Sequence, residues 1–177
     1  MRLLNYSIII SGKICSGKSS IAKNISDSLN IPIASFSEYL VDLAKKQTLP
    51  TDRESLQNLG NSLIIKDHLI FLNDVMDFSN PVSDKFIFEG VRHNIIFDTI
   101  IKNSKTSKSI FLDTNEELRL QRFLKRSKEM DKNLTAADFY KRQEHPVEKE
   151  VADIKAKSLL VLSEAPSIES LSKSLSI

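Results

Sequence analysis

An eight-residue segment, Gly12-Lys13-Ile14-Cys15-Ser16-Gly17-Lys18-Ser19, narrows the possible folds of this chain more than any other stretch, because it matches G-x-x-x-x-G-K-[ST]. Its flanks suit the motif. Tyr6 to Ser11 is an unbroken apolar, β-branched run, which reads as a strand covered on both faces. After the loop the period changes, and Ile21, Ala22, Ile25 and Leu29 fall at helical spacing until Asn30 and Pro32 stop the helix. Strand, glycine loop and helix in that order bring backbone N–H groups and a helix N-terminus together on an anion. ATP and Mg²⁺ are the ligands this predicts, with Gly12 to Ser19 and Ser20 as the nucleotide contacts. Lys18 is expected to reach the β- and γ-phosphates, and the Ser19 hydroxyl to hold Mg²⁺. Lys13 and Ile14 are loop positions without a demanded chemistry, and Cys15 reads as a small filler.

Strand and helix patterns alternate along the rest of the chain. Ile31 to Phe36 reads as a second strand, and Ser37 as the cap of a helix over Glu38 to Lys46. Thr51 or Asp52 caps a helical stretch carrying Leu56, Leu59, Leu63 and Ile64, and a further helix runs from Asp67 to Phe78. Lys85 to Phe88 forms a third strand, His93 to Lys102 a helix and Ser109 to Leu112 a fourth strand. Glu116 to Met130 is predicted as an arginine-rich helix, and Thr135 to Lys141 as another helix start. His145 before Pro146 reads as a helix end, Ala156 to Leu162 as a fifth strand and Ile168 to Leu175 as a terminal helix. The alternation predicts an α/β architecture: a five-stranded parallel sheet flanked by helices. With 177 residues and neither repeat nor linker, one domain is expected over 1–177.

Three further clusters bear on what would receive the phosphate. Glu89-Gly90-Val91-Arg92 ends the third strand, where open α/β sheets bind their ligands. Glu89 could order Mg²⁺-bound water or position an acceptor, and Arg92 offers a bidentate phosphate fork. Arg53, Gln57 and Gly60 share one helix face and suit a phosphate together with a hydrogen-bonding ligand edge. Arg119, Arg122, Lys125 and Arg126 crowd the helix after the fourth strand, with the three arginines on one stripe that could stabilise a transferring phosphoryl group.

These residues resemble the nucleoside monophosphate kinase-like branch of the P-loop kinases, together with dephospho-CoA kinases and phage deoxynucleotide kinases. The likeness covers nearly the whole chain and implies the three-layer P-loop kinase fold, with strand order 2-3-1-4-5 and a short lid. The Glu89-Gly90-Val91-Arg92 segment is similar to the family's Asp-Gly-x-Arg strand end, with Glu in place of Asp. Arg122 and Arg126 match the spacing of the family's lid arginines, which implies that Arg122 stacks on the ATP base and Arg126 contacts its phosphates. Thr51 to Gly60 is similar to an acceptor-binding helix, which makes Arg53 the phosphate contact and places Ser37 at the same pocket. Arg142-Gln143-Glu144-His145-Pro146 looks like the lid return of dephospho-CoA kinases, and Arg142 like a lid arginine. The resemblance therefore implies acceptor-binding helices within about 37–78, a lid within about 119–145, and transfer from ATP to a small phosphorylated acceptor such as a (deoxy)nucleoside monophosphate or dephospho-CoA-like nucleotide.

Charge and cysteine content exclude several other classes. Lys plus Arg number 25 against 23 Asp plus Glu, so bulk charge does not imply nucleic acid. One cysteine forbids an intramolecular disulfide framework, and no apolar run approaches the ~20 residues of a membrane span. A cytoplasmic location without a membrane partner is expected, and the oligomeric state is unreadable. The histidines, His68, His93 and His145, lack zinc-ligand spacing, leaving Mg²⁺ as the metal inferred. A nucleotide-dependent switch that hydrolyses ATP slowly and acts through a protein partner stands as the alternative to a kinase.

Overall fold

The computed structural model describes residues 2–125, 134–163 and 171. Five strands, β1 (Leu4–Gly12), β2 (Ile33–Ser35), β3 (Lys85–Glu89), β4 (Ser104–Leu112) and β5 (Leu160–Leu162), form one sheet. All neighbours are parallel, as the alternation of strand and helix predicts, and the order is β2-β3-β1-β4-β5, the one the family resemblance implies. Central β1 is buried on both faces because successive side chains point to opposite sides of the sheet. Ile9, with Phe86, Phe88 and Phe111 of the adjoining strands, enters one cluster; Ile8 and Ile10, with Ile87, Ile110 and Leu112, enter the other.

The helices are α1 (Lys18–Leu29), α2 (Phe36–Lys46), α3 (Arg53–Ser79), α4 (Asn94–Lys102), α5 (Glu116–Leu124), α6 (Ala136–Gln143) and α7 (Pro146–Lys157). The apolar face of α1, Ile21, Ala22 and Ile25, covers the Ile8/Ile10 side. Opposite it, α3 supplies Phe71, Leu72, Val75 and Met76, α4 supplies Ile96, Phe97 and Ile100, and α7 supplies Val151 and Ile154. A third cluster, Ile14, Phe123 and Phe139, fastens α5 and α6 to the glycine loop.

Several boundaries differ from those the sequence predicts, each for a local reason. Ser35, not Ser37, caps α2, its hydroxyl accepting from the Glu38 N–H at 3.4 Å, so strand passes to helix without a linker. Asp52 is the cap of α3. The two helices expected between 52 and 78 are joined through Asp67 (φ −166°, ψ 100°), whose carboxylate accepts from the N–H groups of Leu69 and Ile70 and restarts the helix. Strand β4 begins five residues earlier than Ser109, because its polar first half, Ser104 to Lys108, pairs with β1 without a hydrophobic pattern to betray it.

The largest correction concerns α7. His145 and Pro146 start a helix instead of ending one: the His145 ring accepts from the Val147 N–H at 3.3 Å and proline takes the first helical position, where its missing N–H costs nothing. Val147, Val151 and Ile154 form its buried face, so Ala156 and Lys157 are helical and the fifth strand shrinks to Leu160–Leu162. Within the described residues α5 stops at Leu124; Arg126 and the remainder of the helix expected to Met130 lie outside them. Of the terminal helix expected over 168–175, only Leu171 is described, and it is buried against the α1 side of the sheet.

Candidate active site

The C-terminal edge of the sheet opens onto a cavity of about 780 Å³. One side is the glycine loop. Gly12, ending β1, has φ 145°, Cys15 φ 59° and Gly17, the N-cap of α1, φ 98°, so the chain reverses within six residues and aims the start of α1 at the opening. Contacts with α5 and the segment leading into it brace the turn: Arg122 Nη1 donates to the carbonyls of Ser16 (3.2 Å) and Cys15 (3.4 Å), and Thr114 Oγ1, between β4 and α5, also donates to Ser16 O.

Lys18 is buried, and its ammonium donates to the carbonyls of Gly12 (2.9 Å) and Lys13 (2.8 Å). Burial pushes its pKa down to about 7; the Arg92 guanidinium pushes the same way, and the Glu89 and Glu148 carboxylates oppose them. Ser19, one residue on, donates to Glu89 Oε1 at 3.2 Å, while Ser35 donates to Glu89 Oε2 at 3.3 Å. A hydroxyl and a carboxylate at that spacing are hard oxygen donors of the kind Mg²⁺ uses when phosphates and water complete its octahedron. Among the described residues no group of three or more His, Cys, Asp or Glu could hold a metal without such help.

Across the cavity stands a second wall. Arg53, Leu56, Gln57 and Gly60 enter from α3, and Gly90, Val91 and Arg92 from the chain leaving β3. Gly60 does more than leave bare backbone, since a Cβ there would lie 3.2 Å from Leu40 Cδ1; the glycine lets α2 and α3 close up. Gln57 Nε2 is enclosed with no hydrogen-bond partner among the described residues. Phe36, Leu40, Ile64, Phe71 and Ile96 make the apolar floor. Ser37 borders the same space.

The fold thus gathers into one cavity residues that the sequence scatters: Ile14 to Ser20, Ser37, Arg53, Gln57, Gly60, Glu89, Gly90, Arg92 and Arg122, whereas Gly12 and Lys13 of the loop are not among its lining residues. It separates others. The predicted cationic stripe is divided, because Arg119 is only 3% exposed and bolts the structure together, donating to Thr114 O, Ile14 O and Gln143 Oε1 and lying over the Phe139 ring. Arg142 lies over the Phe123 ring, 5.0 Å from its centroid, and is not among the residues lining the cavity. Sequence reasoning missed Glu148, whose carboxylate pairs with Arg92 and stands 4.0 Å from Arg53 Nη2. Its only sequence signal was a place three residues after a helix-capping His145, visible once α7 is recognised as a helix.

A parallel sheet ordered 2-3-1-4-5, with a phosphate-type glycine loop leaving its central strand, is the P-loop kinase fold. Residues 8–153 match the family model AAA_18, described as an AAA domain, and the chain belongs to that family. Solved structures agree on the fold. Shikimate kinase from Aquifex aeolicus vf5 is 18% identical with a TM-score of 0.59, covering 96% of each chain. Shikimate kinase from Bacteroides thetaiotaomicron is 12% identical, TM-score 0.59, over 97% of this chain and 94% of that one. A gluconokinase from Sinorhizobium meliloti 1021 is 13% identical, TM-score 0.53, over 99% and 92%. No curated protein gives a significant match. Among the described residues no helix is long and apolar enough to cross a membrane.

Proposed function

We propose that this chain transfers the γ-phosphoryl group of MgATP to a small phosphorylated acceptor, a (deoxy)nucleoside monophosphate or dephospho-CoA-like nucleotide. The observation that carries this reading is the pair of guanidiniums, Arg53 and Arg92, on the same cavity as Lys18 and Ser19. One set of cations suits the donor and another the acceptor. The apolar floor, Phe36 and Phe71 included, suits a flat ring more than a polyol, and Gln57 Nε2 supplies a donor for the edge of that ring. In this reading the chain works as one domain, with acceptor-binding helices within 37–78 and a nucleotide-side lid region within 119–145, Arg126 and Arg142 included.

MgATP supplies the reactive phosphoryl group, and the protein's part is placement and charge. Loop N–H groups and Lys18 hold the phosphates, and Lys18 offsets charge that grows in the transition state. Ser19 and Glu89 would be the residues to hold Mg²⁺, which would offset charge on the phosphates when bound. Arg122, already bonded to the loop carbonyls, keeps the loop in shape and faces the nucleotide. Arg53 and Arg92 hold the acceptor phosphate in line. The test is a screen of nucleoside monophosphates, deoxynucleoside monophosphates and dephospho-CoA with MgATP, followed by Arg53→Ala and Arg92→Ala on whichever acceptor is phosphorylated. Each substitution is expected to raise the acceptor KM about tenfold or more, the effect of losing a charge-assisted contact. Transfer to none of them sinks the proposal.

Lys18 adds a pH signature. With a pKa near 7 it is largely neutral at pH 8, and a polyphosphate beside the ammonium raises that pKa. Nucleotide binding therefore takes up protons above neutrality, and affinity falls as pH rises from about 7. Calorimetry at pH 8 in buffers of different ionisation enthalpy is expected to show proton uptake in wild type and its loss in Lys18→Met.

A further inference from the structure

Helix α7 delivers a carboxylate to the back of the acceptor wall. The Glu148 side chain is 3% exposed; its Oε1 is ion-paired with Arg92 Nη1 and lies 4.0 Å from Arg53 Nη2. Arg53, Arg92 and Val147 line the cavity, and Glu148 stands behind them. Its second oxygen, Oε2, is enclosed with no hydrogen-bond partner among the described residues.

Stability does not account for this arrangement. A buried ion pair commonly breaks even against well-packed apolar side chains, and an unmatched buried oxygen makes the balance worse. Geometry offers a better reason. An arginine that grips an anion must first give up side-chain freedom, and a partner already holding one edge of the guanidinium removes that freedom beforehand. Arg92 gives Nη1 to Glu148, and the edge formed by Nε and Nη2 is the one suited to a phosphate fork. Glu148 also tempers repulsion, since its single negative charge lies between two guanidiniums that would otherwise push one another apart. It occupies the first turn of α7, where the helix dipole favours a negative charge.

We infer that Glu148 is the positioning residue of the acceptor site: it clamps Arg92, steadies Arg53 beside it, and so presets the two guanidiniums for the acceptor's anionic group. This rests on the acceptor reading proposed above. Glu148 touches no substrate itself and acts through the arginines.

The test compares wild type with Glu148→Ala, Glu148→Gln, Arg92→Ala and the Arg92→Ala/Glu148→Gln double variant. MgATP is the donor, and the four deoxynucleoside 5′-monophosphates and dephospho-CoA are the acceptors; acceptor binding is also titrated by calorimetry. Glu148→Ala is expected to raise acceptor KM and Kd about tenfold or more while MgATP KM stays within about twofold. Glu148→Gln, which keeps an amide oxygen facing Arg92, recovers most of that loss. In the Arg92→Ala background Glu148→Gln adds a smaller loss than it causes in wild type, because only the share that passes through Arg53 is left. Should Glu148→Ala not fold, Glu148→Gln and the double variant carry the comparison. Acceptor KM left unchanged by both Glu148 variants while Arg92→Ala raises it overturns the inference alone. So do equal rises in both KM values that follow a lower melting temperature. No turnover or binding with any acceptor, or an acceptor KM indifferent to Arg92→Ala and Arg53→Ala, overturns the acceptor reading and this inference with it.

Discussion

Lys18→Met is expected to lower kcat/KM for phosphoryl transfer by about 10²–10³-fold, the loss seen when one preorganised donor to a developing charge is removed. Lys18 leaves the surface to sit in the loop, donating to Gly12 O and Lys13 O and carrying a pKa near 7. Holding an ammonium there in a desolvated, partly cationic setting costs stability, and that cost is recovered only against phosphate. Methionine keeps the buried stem and removes the charge, so the melting temperature is expected to hold or rise while catalysis fails. ADP release and titration with a fluorescent nucleotide measure the two effects separately. Full activity in a folded Lys18→Met protein would remove the loop from the mechanism.

Gly12→Ala is expected to be the most damaging small change to the fold. A Cβ at this position would sit 2.7 Å from Leu112 O and 2.8 Å from Ser16 Oγ, with φ at 145°. Leu112 pairs with Gly12 across β4 and β1, so its carbonyl cannot retreat without opening the sheet beneath the loop. Overpacking of about 1–3 kcal/mol and backbone strain of about 1–3 kcal/mol together predict a loss of roughly 2–6 kcal/mol in denaturant unfolding. Gly90→Ala is the control. Its φ is 87°, yet nothing lies within 4 Å of the added Cβ, so only strain opposes it. Equal stability of Gly12→Ala and Gly90→Ala would contradict the close approach of loop and strand.

Legibility of the chain followed the range of the interactions. Strand β1, the glycine loop and α1 were readable because their patterns are contiguous: an apolar run, two glycines with positive φ, and an apolar face at helical spacing. Glu89 and Arg92 were readable for a similar reason, since a strand end names its own edge of the sheet. The cap of α2 was misplaced because two serines, Ser35 and Ser37, stand two residues apart and only the packed backbone selects between them. Arg119 and Arg122 show the limit of helical spacing: both follow the same stripe, but Phe139 of α6 covers one and the loop receives the other.

The glycine loop, its flanking strand and helix, and the parallel character of the sheet are written in the sequence, because each shows in the pattern of residues within a turn, a strand or a helix. The arginine-bearing wall of the cavity comes from packing alone. Arg92 and Glu148 meet from positions 56 residues apart, and Arg53 joins them from a third element. No local spacing encodes that meeting; it depends on where α3 and α7 pack on the sheet, and the apolar faces that set this packing say nothing of the charges they carry along.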